Sequence, residues 1–429
     1  MKILIATYGS RGDVQPYVAL GKGLQDAEHD VTLGTSERFR DFVEHHGLAY
    51  GYMNDELLSI IDTDQGREML ENTTNLFDVV KQNIKMAKQV RPMQTAQMRE
   101  TWEIAQNFRP DFILYHPKAG AAPHIAEKLG IGCALATPIP MFVPTAERPF
   151  IVLPNLNLGG WYNRLSYKII NSLTGFYLGR YIKDFRGDIG LAPLKKFDFL
   201  KTADGRDIPV LHALSEAVLP RPADWPDSAH ITGYWFLDRE SDWTPPRDLL
   251  AFLEKGAPPV YVGFGSMAGR SPQLLAETVM EALQFAGVRG IIATGWGSLA
   301  PDALPDSILK IESTPHDWLF PRVSAVVHHG GAGTTAAGLR AGKPSIIVPF
   351  FGDQPFWGRH VHSLGAGPKP IPRKKLSAHN LAMAIREATS NPDIQRKTDE
   401  IGGKIRSEDG IGNAVAIIEK LMLNVRHPL

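Results

Sequence analysis

The sequence predicts an α/β protein with two Rossmann-like domains that face each other across a cleft. Short apolar runs alternate with segments of helical periodicity, which is typical of parallel βαβ units. The chain has 429 residues, too many for one hydrophobic core, so two domains are expected. The alternation restarts after a Pro- and Trp-rich stretch at residues 219–246, where we place the boundary.

The first half contains the elements of one doubly wound domain. The apolar run KILIA at residues 2–6 predicts a strand, and Pro16 lies in the first turn of the helix that follows. Gly47 and Gly130 end two later helices. The predicted strands are 2–6, 30–35, 112–115 and 133–136, and the predicted helices are 15–28, 38–46 and 121–129.

The second half repeats this architecture without a sequence repeat. Its predicted strands are 260–263, 290–294, 309–312, 325–328 and 345–348, and its helices are 271–286, 380–388, 410–423 and one that ends at Gly342. The last helix is expected to cross back to the first domain. The predicted division is 1–220, a linker at 221–245, then 246–405 and a closing segment at 406–429.

Two regions, 53–101 and 141–200, interrupt the alternation with helical patterns rich in apolar and aromatic residues. Insertions of this kind at strand ends commonly build a substrate pocket. Packing against the sheet must account for at least half of these side chains. The residues concerned are Leu76, Phe77, Met86, Met93, Met98, Phe142, Phe150, Trp161, Tyr162, Tyr167, Phe176 and Tyr177.

Composition and charge indicate an ordinary soluble globular protein. Lys plus Arg and Asp plus Glu number 46 each, so no overall field favours nucleic acid or anionic lipid. Cys133 is the only cysteine, which excludes an internal disulfide and fits a reducing compartment. No signal-peptide pattern precedes the first strand, and no apolar run approaches the roughly 20 residues of a membrane span. A cytoplasmic location is therefore expected, with at most transient bilayer contact through the apolar insertions.

The turn VVHHGGAGTT at residues 326–335 carries the strongest functional signal. Two β-branched residues lead into it, and small apolar residues follow it as the start of a helix. Free backbone N–H groups at such a helix start bind phosphate. His328 or His329 can add a donor, and Thr334 and Thr335 can add hydroxyls. A glycine turn needed only for tight packing is the alternative, but the flanking His and Thr residues favour anion binding.

The first strand is followed by the turn ATYGSRGDVQP at residues 6–16. This turn lacks the G-x-G-x-x-G spacing, so no nicotinamide or flavin cofactor is indicated. Gly9 and Gly12 let the backbone approach a ligand, and Asp13 stands just before the predicted helix. Asp13 is therefore either a helix cap or a group at the ligand-binding edge of the sheet.

Five segments in order carry a family resemblance. They are GSRGDVQP at 9–16, FGSM at 264–267, PHDWLFP at 315–321, HHGGAGTT at 328–335 and PFFGDQ at 349–354. Together they resemble the sterol 3β-glucosyltransferases, which are nucleotide-sugar-dependent enzymes of the GT-B fold. The resemblance implies an inverting transferase that moves glucose from UDP-glucose to the hydroxyl of a lipophilic acceptor, above all a sterol.

The resemblance implies that Asp13 is the general base for the acceptor hydroxyl, at the place where many relatives carry His. A carboxylate of ordinary pKa is a weak base for an alcohol, so the pocket should raise the pKa of Asp13 by desolvation. His116 stands where plant-type relatives carry the Asp that orients their base. It either partners Asp13 or lines the acceptor cleft, whereas His124 is expected to be a packing residue.

The resemblance also assigns a donor site. His316 and Trp318 fall in the segment that holds uracil and ribose, although Trp318 fits an interface aromatic equally well. Asp353 and Gln354 align with the pair that hydrogen-bonds the sugar hydroxyls, which favours glucose. The residues implied around the phosphates are Gly12, Ser266, His328, Gly331, Ala332, Gly333 and Thr334.

No D-x-D pair follows a predicted strand, so no metal or other cofactor is expected, and helix N–H groups would neutralise the phosphates. Attack from the face opposite the nucleotide inverts the anomeric centre and gives a β-glucoside. Three other interpretations stay open: the same reaction on a triterpenoid, macrolide or flavonoid, a lipid-binding protein without activity, and a nucleotide-sugar epimerase.

Overall fold

A computed structural model of the chain describes residues 1–62, 76–194, 197–239, 242–265, 272–293 and 304–426. The chain divides into two compact units. The first contains residues of 1–63, 75–237 and 408–429, and the second contains residues 238–407. Each unit is built on one parallel sheet.

The sheet of the first unit is formed, within the described residues, by seven strands. They are β1 (Lys2–Ala6), β2 (Asp30–Ser36), β3 (Ala49–Met53), β4 (Phe112–Tyr115), β5 (Gly132–Thr137), β6 (Val210–His212) and β7 (Ala229–Ile231). Their order is β3-β2-β1-β4-β5-β6-β7, and every neighbouring pair is parallel. The strand interiors are apolar and buried, because helices cover both faces of a parallel sheet.

Helices of the first unit follow the strands in the expected alternation. They are α1 (Arg11–Asp26), α2 (Arg40–His45), α3 (Glu56–Asp62), α4 (Leu76–Phe108), α5 (Ala122–Leu129) and α6 (Gly160–Asp188). Helix α1 begins four residues before the predicted start at residue 15. The Asp13 carboxylate accepts the backbone N–H of Ser10 at 2.7 Å, which satisfies a free donor and lets the helix start there.

The second unit repeats this layout on a smaller sheet. Its described strands are β8 (Val260–Gly263), β9 (Gly290–Ala293), β10 (Ile308–Ile311), β11 (Ala325–His328) and β12 (Ser345–Ile347), in the parallel order β10-β9-β8-β11-β12. Its described helices are α7 (Arg247–Glu254), α8 (Pro272–Ala286), α9 (His316–Leu319), α10 (Ala332–Arg340), α11 (Gln354–Ser363), α12 (Ala378–Ser390) and α13 (Pro392–Arg406).

The final helix α14 (Gly410–Arg426) belongs to the first unit and packs on α1. Ala414 and Ile418 are buried in the same apolar cluster as Leu24. The two helices approach closely at Gly23, where a Cβ atom would overlap the Ile411 side chain. The predicted return of the last helix to the first domain is therefore confirmed.

The predicted α/β class with two Rossmann-like sheets is confirmed, but some elements were missed. These are β3, β6, β7, α7, α9, α11 and α13, and β7 lies inside the stretch predicted as a linker. Strands β6 and β7 have three residues each, which is too short to show a period-2 pattern. Helix α13 is mostly polar, and only a few apolar residues such as Ile401 are buried.

The second insertion contains both core and exposed aromatic residues. Phe150 and Tyr167 pack against each other in a small buried cluster, and Phe142 belongs to the main core. In contrast, Trp161 and Phe176 are exposed. The side chains of Leu76, Phe77 and Met86 lie outside the described residues.

Candidate active site

Asp13, His116 and His328 lie where the strand order of each sheet reverses, which is where open α/β sheets bind ligands. In the first sheet the reversal lies between β1 and β4. Asp13 follows β1, and His116 follows β4. In the second sheet the reversal lies between β8 and β11, and His328 is the last residue of β11. Ser266, which follows β8, lies outside the described residues.

Asp13 is held by three donors on one of its carboxylate oxygens. Its Oδ2 accepts the backbone N–H of Ser10 at 2.7 Å, the Ser10 hydroxyl at 2.9 Å and the Lys118 ammonium at 2.9 Å. Its Oδ1 lies 3.4 Å from Nε2 of His116. The side chain is 19% exposed, so a ligand can reach it. Oδ1 has fewer protein partners and is therefore the oxygen better placed to accept a proton.

The protonation of His116 is set by its neighbours. The backbone N–H of Lys118 donates to Nδ1 of His116 at 3.2 Å, so Nδ1 is an acceptor and the proton lies on Nε2. Nε2 lies 3.4 Å from Oδ1 of Asp13, which is longer than the usual hydrogen-bond distance of about 2.7–3.2 Å. Burial lowers the pKa of His116, although the Asp13 carboxylate opposes this shift. His116 thus lies beside Asp13 with its proton on the ring nitrogen nearest the carboxylate, and its role as the partner of Asp13, the first of its two predicted roles, stays a prediction.

The pKa of Asp13 differs from the sequence-based expectation. Burial alone would raise the pKa of this carboxyl, but the Lys118 ammonium and the His116 ring together hold it well below the usual range. The predicted increase is therefore wrong, because desolvation is outweighed by a cation that the sequence pattern does not place there. Asp13 is ionised at neutral pH.

Lys118 was missed by the sequence reasoning. It stands two residues beyond His116, just after β4. Because β4 pairs with β1, this position was the only feature of the sequence that could have indicated a residue near Asp13. Its side chain is 54% exposed, so solvent weakens the ion pair with Asp13.

Glycine is required at position 9, where the backbone approaches the ion pair of Asp13 and Lys118 closely. It has a φ of +142°, which side-chain-bearing residues rarely adopt, and a Cβ atom there would overlap the Asp13 carboxylate and lie 2.8 Å from Lys118 Nζ. Gly12 differs, because the nearest atom to a Cβ at this position is the Ser10 hydroxyl at 3.7 Å. The backbone of the first helical turn is therefore open to a ligand at Gly12.

The glycine turn of the second unit presents the start of α10. Gly330 has a φ of +90°, and Gly331 precedes the first helical residue, Ala332, without a capping side chain. Gly333 is exposed, and no neighbouring atom lies within 4 Å of the position that a Cβ would take. The first backbone N–H groups of α10 thus form an open anion-binding position. The Thr335 hydroxyl donates instead to the Gly331 carbonyl at 2.9 Å and is buried.

His328 adds a donor beside this turn. The backbone N–H of Gly330 donates to Nδ1 of His328 at 3.1 Å, so the proton lies on Nε2. This Nε2 is buried and has no hydrogen-bond partner among the residues that the structure describes. Burial, with His329 and His316 nearby, lowers the pKa of His328 well below its usual value. A buried N–H without a partner is costly, so this atom points to a ligand that accepts from it.

Asp353 and Gln354 stand at the start of α11. The Asp353 carboxylate accepts the indole N–H of Trp357 at 2.9 Å. The Gln354 amide oxygen accepts the backbone N–H groups of Phe350 at 2.8 Å and Phe351 at 3.2 Å, so its amide nitrogen is the group it can offer to a ligand. Gln354 also adjoins the glycine turn, since a Cβ at Gly330 would lie 3.2 Å from the Gln354 carbonyl.

His316 and Trp318 occupy different environments on α9. The His316 ring is half-buried and stacks on Phe320 with ring centres 4.2 Å apart. Trp318 is buried against Trp243, and the Arg322 guanidinium covers its ring at 4.3 Å. Trp318 is therefore a core residue of the second unit, and its contact with a nucleoside stays a prediction. His124 is buried beside Arg186, which fits its expected packing role.

Metal-ligating side chains are not clustered in the described residues. No group of three or more His, Cys, Asp or Glu side chains among them is arranged to hold a metal ion. Nor is any helix in the described part of the chain long and apolar enough to cross a membrane.

Sequence profiles of two glycosyltransferase domain families match the chain. The glycosyltransferase family 28 N-terminal domain matches residues 3–146, which contain Asp13, His116 and Lys118. The erythromycin biosynthesis protein CIII-like C-terminal domain matches residues 291–418, which contain the glycine turn.

Known structures share the fold of the whole chain. The glycosyltransferase of kitacinnamycin is 19% identical with a TM-score of 0.72, and the match covers 98% of this chain and 99% of that one. The calicheamicin glycosyltransferase CalG4 is 18% identical with a TM-score of 0.69, covering 99% and 98%. A Streptomyces glycosyltransferase solved with thymidine diphosphate is 18% identical with a TM-score of 0.65, covering 98% and 99%. These likenesses establish the GT-B fold.

Proteins similar in sequence identify the family more specifically than the fold does. A sterol 3-beta-glucosyltransferase of Arabidopsis thaliana is 36% identical over 421 residues, which are 97% of this chain and 67% of that protein. Those of Aspergillus clavatus and Yarrowia lipolytica are 36% and 37% identical over 97% of this chain. The chain spans only 29% and 28% of these two fungal proteins. With its site residues at the two strand-order reversals, the chain belongs to the sterol 3β-glucosyltransferase family of GT-B glycosyltransferases.

Proposed function

We propose that this chain transfers glucose from UDP-glucose to the 3β-hydroxyl of a sterol, with inversion and with Asp13 as the general base. One observation carries the proposal. An ionised, partly exposed carboxylate and a buried N–H donor without a described partner stand at the strand-order reversals of the two sheets. A base and an anion-binding donor are the two groups that glycosyl transfer from a nucleotide diphosphate requires.

The base would act at the acceptor. The acceptor oxygen attacks C1 of glucose as the bond from C1 to the UDP oxygen breaks, and UDP leaves with that electron pair. The acceptor proton passes to Asp13, whose Oδ1 has the fewer protein donors. His116, with its proton on Nε2, orients this oxygen. Attack opposite the leaving group inverts C1 and gives a β-glucoside.

The donor half would neutralise the leaving group. The open N–H groups of Gly331, Ala332 and Gly333 and the Nε2–H of His328 would contact the diphosphate. Thr334, half-buried in the first turn of α10, is placed to add its hydroxyl. Asp353 and Gln354 would hydrogen-bond the glucose hydroxyls, and His316 would contact the nucleoside. UDP-glucose is a substrate in this scheme, and the reaction uses no separate cofactor.

The test is release of UDP from UDP-glucose, with and without cholesterol. The proposal expects release that depends on the acceptor, and a product whose anomeric proton shows the large coupling of a β-glucoside. Release of equal rate without an acceptor would indicate hydrolysis or epimerisation and contradict the proposal, as would no release at all. A parallel panel of a triterpenoid, a macrolide and a flavonoid tests the acceptor, because faster turnover of one of these would replace the sterol.

A further inference from the structure

One surface of the first unit exposes large apolar side chains from α6 and the loop before it. We call it the apolar face. Trp161 is 65% exposed and Phe176 is 89% exposed, far more than ordinary core residues. The residues of the apolar face are Val152, Leu156, Leu158, Trp161, Leu165, Ile169, Leu173 and Phe176. Large apolar side chains exposed together on one helix and the loop before it commonly mark an interaction site.

The helical members fall on one side of α6. Trp161, Leu165, Ile169 and Leu173 are four residues apart, so they drift by about 40° per step and span an arc of about 120°. Phe176 falls within that arc. The opposite side of α6 is already buried, because Tyr167 lies in the core. The exposed side of α6 is thus a second apolar surface, in addition to the side that packs in the core.

The loop members are held next to the helix. The Tyr162 hydroxyl donates to the Pro154 carbonyl at 2.8 Å, which ties the loop to the first turn of α6. The Asn155 side chain accepts the backbone N–H of Asn157 at 3.2 Å, and Asn157 has a φ of +53°. This constrained turn leaves Leu156 and Leu158 exposed beside the helix start.

The segment that carries the apolar face contains charged residues of one sign only. Residues 149–183 contain no Asp or Glu, whereas the whole chain has as many acids as bases. Arg164, Lys168, Arg180 and Lys183 lie in this stretch and are exposed. Arg164 is paired with Asp224 at 2.7 Å, and the next acids of α6 are paired with arginines of α4. The rim of the apolar face is therefore locally cationic.

We propose that the apolar face docks this chain onto an anionic lipid surface, with Trp161 and Phe176 inserted among the acyl chains. Exposed aromatic and aliphatic residues with a cationic rim are the combination that binds such a surface, by apolar burial together with attraction to lipid phosphates and carboxylates. A purely apolar partner would not need the exposed cations Lys168, Arg180 and Lys183 beside the apolar residues. The inference deepens the proposed function, because a membrane would be the source of the sterol, but its test does not depend on catalysis.

The experiment is co-sedimentation of the full chain with vesicles. Binding is expected to vesicles of equal parts phosphatidylcholine and phosphatidylserine, and to be much weaker with phosphatidylcholine alone. Trp161→Ser combined with Phe176→Ser should lower the partition coefficient by about tenfold or more. The matched control is Leu274→Ser with Phe285→Ser, since these exposed residues of α8 lie outside the face. A thermal unfolding midpoint verifies that each variant is folded.

A second variant pair tests the charge argument. Lys168→Glu with Arg180→Glu leaves every apolar residue in place and should remove the preference for phosphatidylserine. Added salt should weaken binding of the unchanged chain. A charge variant that keeps the full preference for phosphatidylserine would contradict an anionic surface.

Three results would overturn the proposal. One is failure of the unchanged chain to bind either vesicle type, and another is full binding by the Trp161 and Phe176 variant. The third is a dimer in solution that this variant converts to a monomer, because a second copy would then cover the face. Sterol glucosylation in detergent without vesicle binding would contradict only this inference. Vesicle binding without any turnover would contradict only the proposed function.

Discussion

Lys118 Nζ lies 2.9 Å from Oδ2 of Asp13 and is the largest of the influences that lower the pKa of this carboxyl. The proposed base is therefore paired with a cation that opposes its protonation. Burial acts in the opposite direction, so the balance between the two decides the basicity of Asp13.

Replacing Lys118 with Met should shift the acidic limb of kcat/KM to higher pH. Loss of the ammonium leaves burial as the dominant influence and raises the pKa of Asp13, so the carboxylate is protonated earlier as pH falls. The shift should be about one pH unit or more, because an adjacent opposite charge lowers a carboxyl pKa by roughly 1–3 units. Lys118→Arg keeps the charge and should keep the limb in place. An unshifted limb in the Met variant would mean that Lys118 does not set the pKa of Asp13.

Replacing Asp13 with Asn should abolish most turnover while the protein stays folded. An amide cannot take the acceptor proton, and loss of a general base typically costs about 10²- to 10⁴-fold in kcat. The amide oxygen can still accept the Ser10 N–H, so the free energy of unfolding should change by about 1 kcal/mol or less. Rates with saturating acceptor and a denaturant titration measure the two effects. Near-normal turnover in the folded variant would show that Asp13 acts only as a helix cap and not as the base.

Replacing His328 with Gln should weaken UDP binding. The buried Nε2–H is expected to donate to a charged diphosphate, and such bonds contribute about 1.5–3 kcal/mol, or roughly 10- to 100-fold in Kd. Because the pKa of His328 lies well below its usual value, the ring is neutral, and its titration should not alter UDP affinity between about pH 6 and 8. Calorimetry with UDP measures both. An unchanged Kd would show that His328 does not contact the nucleotide.

Gly9 and Gly12 provide a matched pair of alanine substitutions. Gly9→Ala forces a left-handed backbone and an overlap with the Asp13 carboxylate, so it should destabilise the protein by about 1–3 kcal/mol. Gly12→Ala sits in the first turn of α1 with its nearest neighbour at 3.7 Å, and should leave stability unchanged or slightly increased. The thermal unfolding midpoints of the two variants measure this difference in stability. Similar unfolding temperatures for the two would contradict the geometry described for Gly9.

Much of the fold could be predicted because the long central strands and helices have clear periodicity. Strand 260–263 and strand 325–328 were placed at their observed bounds. Short elements such as β6 owe their conformation to neighbouring strands and carry no pattern of their own. The sequence also predicted that Asp13 lies at the edge of the sheet where open α/β folds bind ligands, because the turn that contains it follows the first strand directly.

The electrostatics of the site could not be predicted in the same way. Asp13 and Lys118 are 105 residues apart in the chain, and only the pairing of β1 with β4 brings them together. The expected increase in the pKa of Asp13 relied on burial alone. Role assignments for the donor-site residues, including Trp318 and Gln354, stay predictions, and a nucleotide complex would test them.

His116 and His328 share one arrangement, since each accepts at Nδ1 the main-chain N–H two residues further on. In both units the polypeptide backbone itself fixes which imidazole nitrogen carries hydrogen. These rings consequently behave as permanent amide-like donors and not as acid–base sensors. A hydrogen bond donated to a substrate by either ring would therefore persist through modest acidification of the surroundings, because neither imidazole gains a proton there.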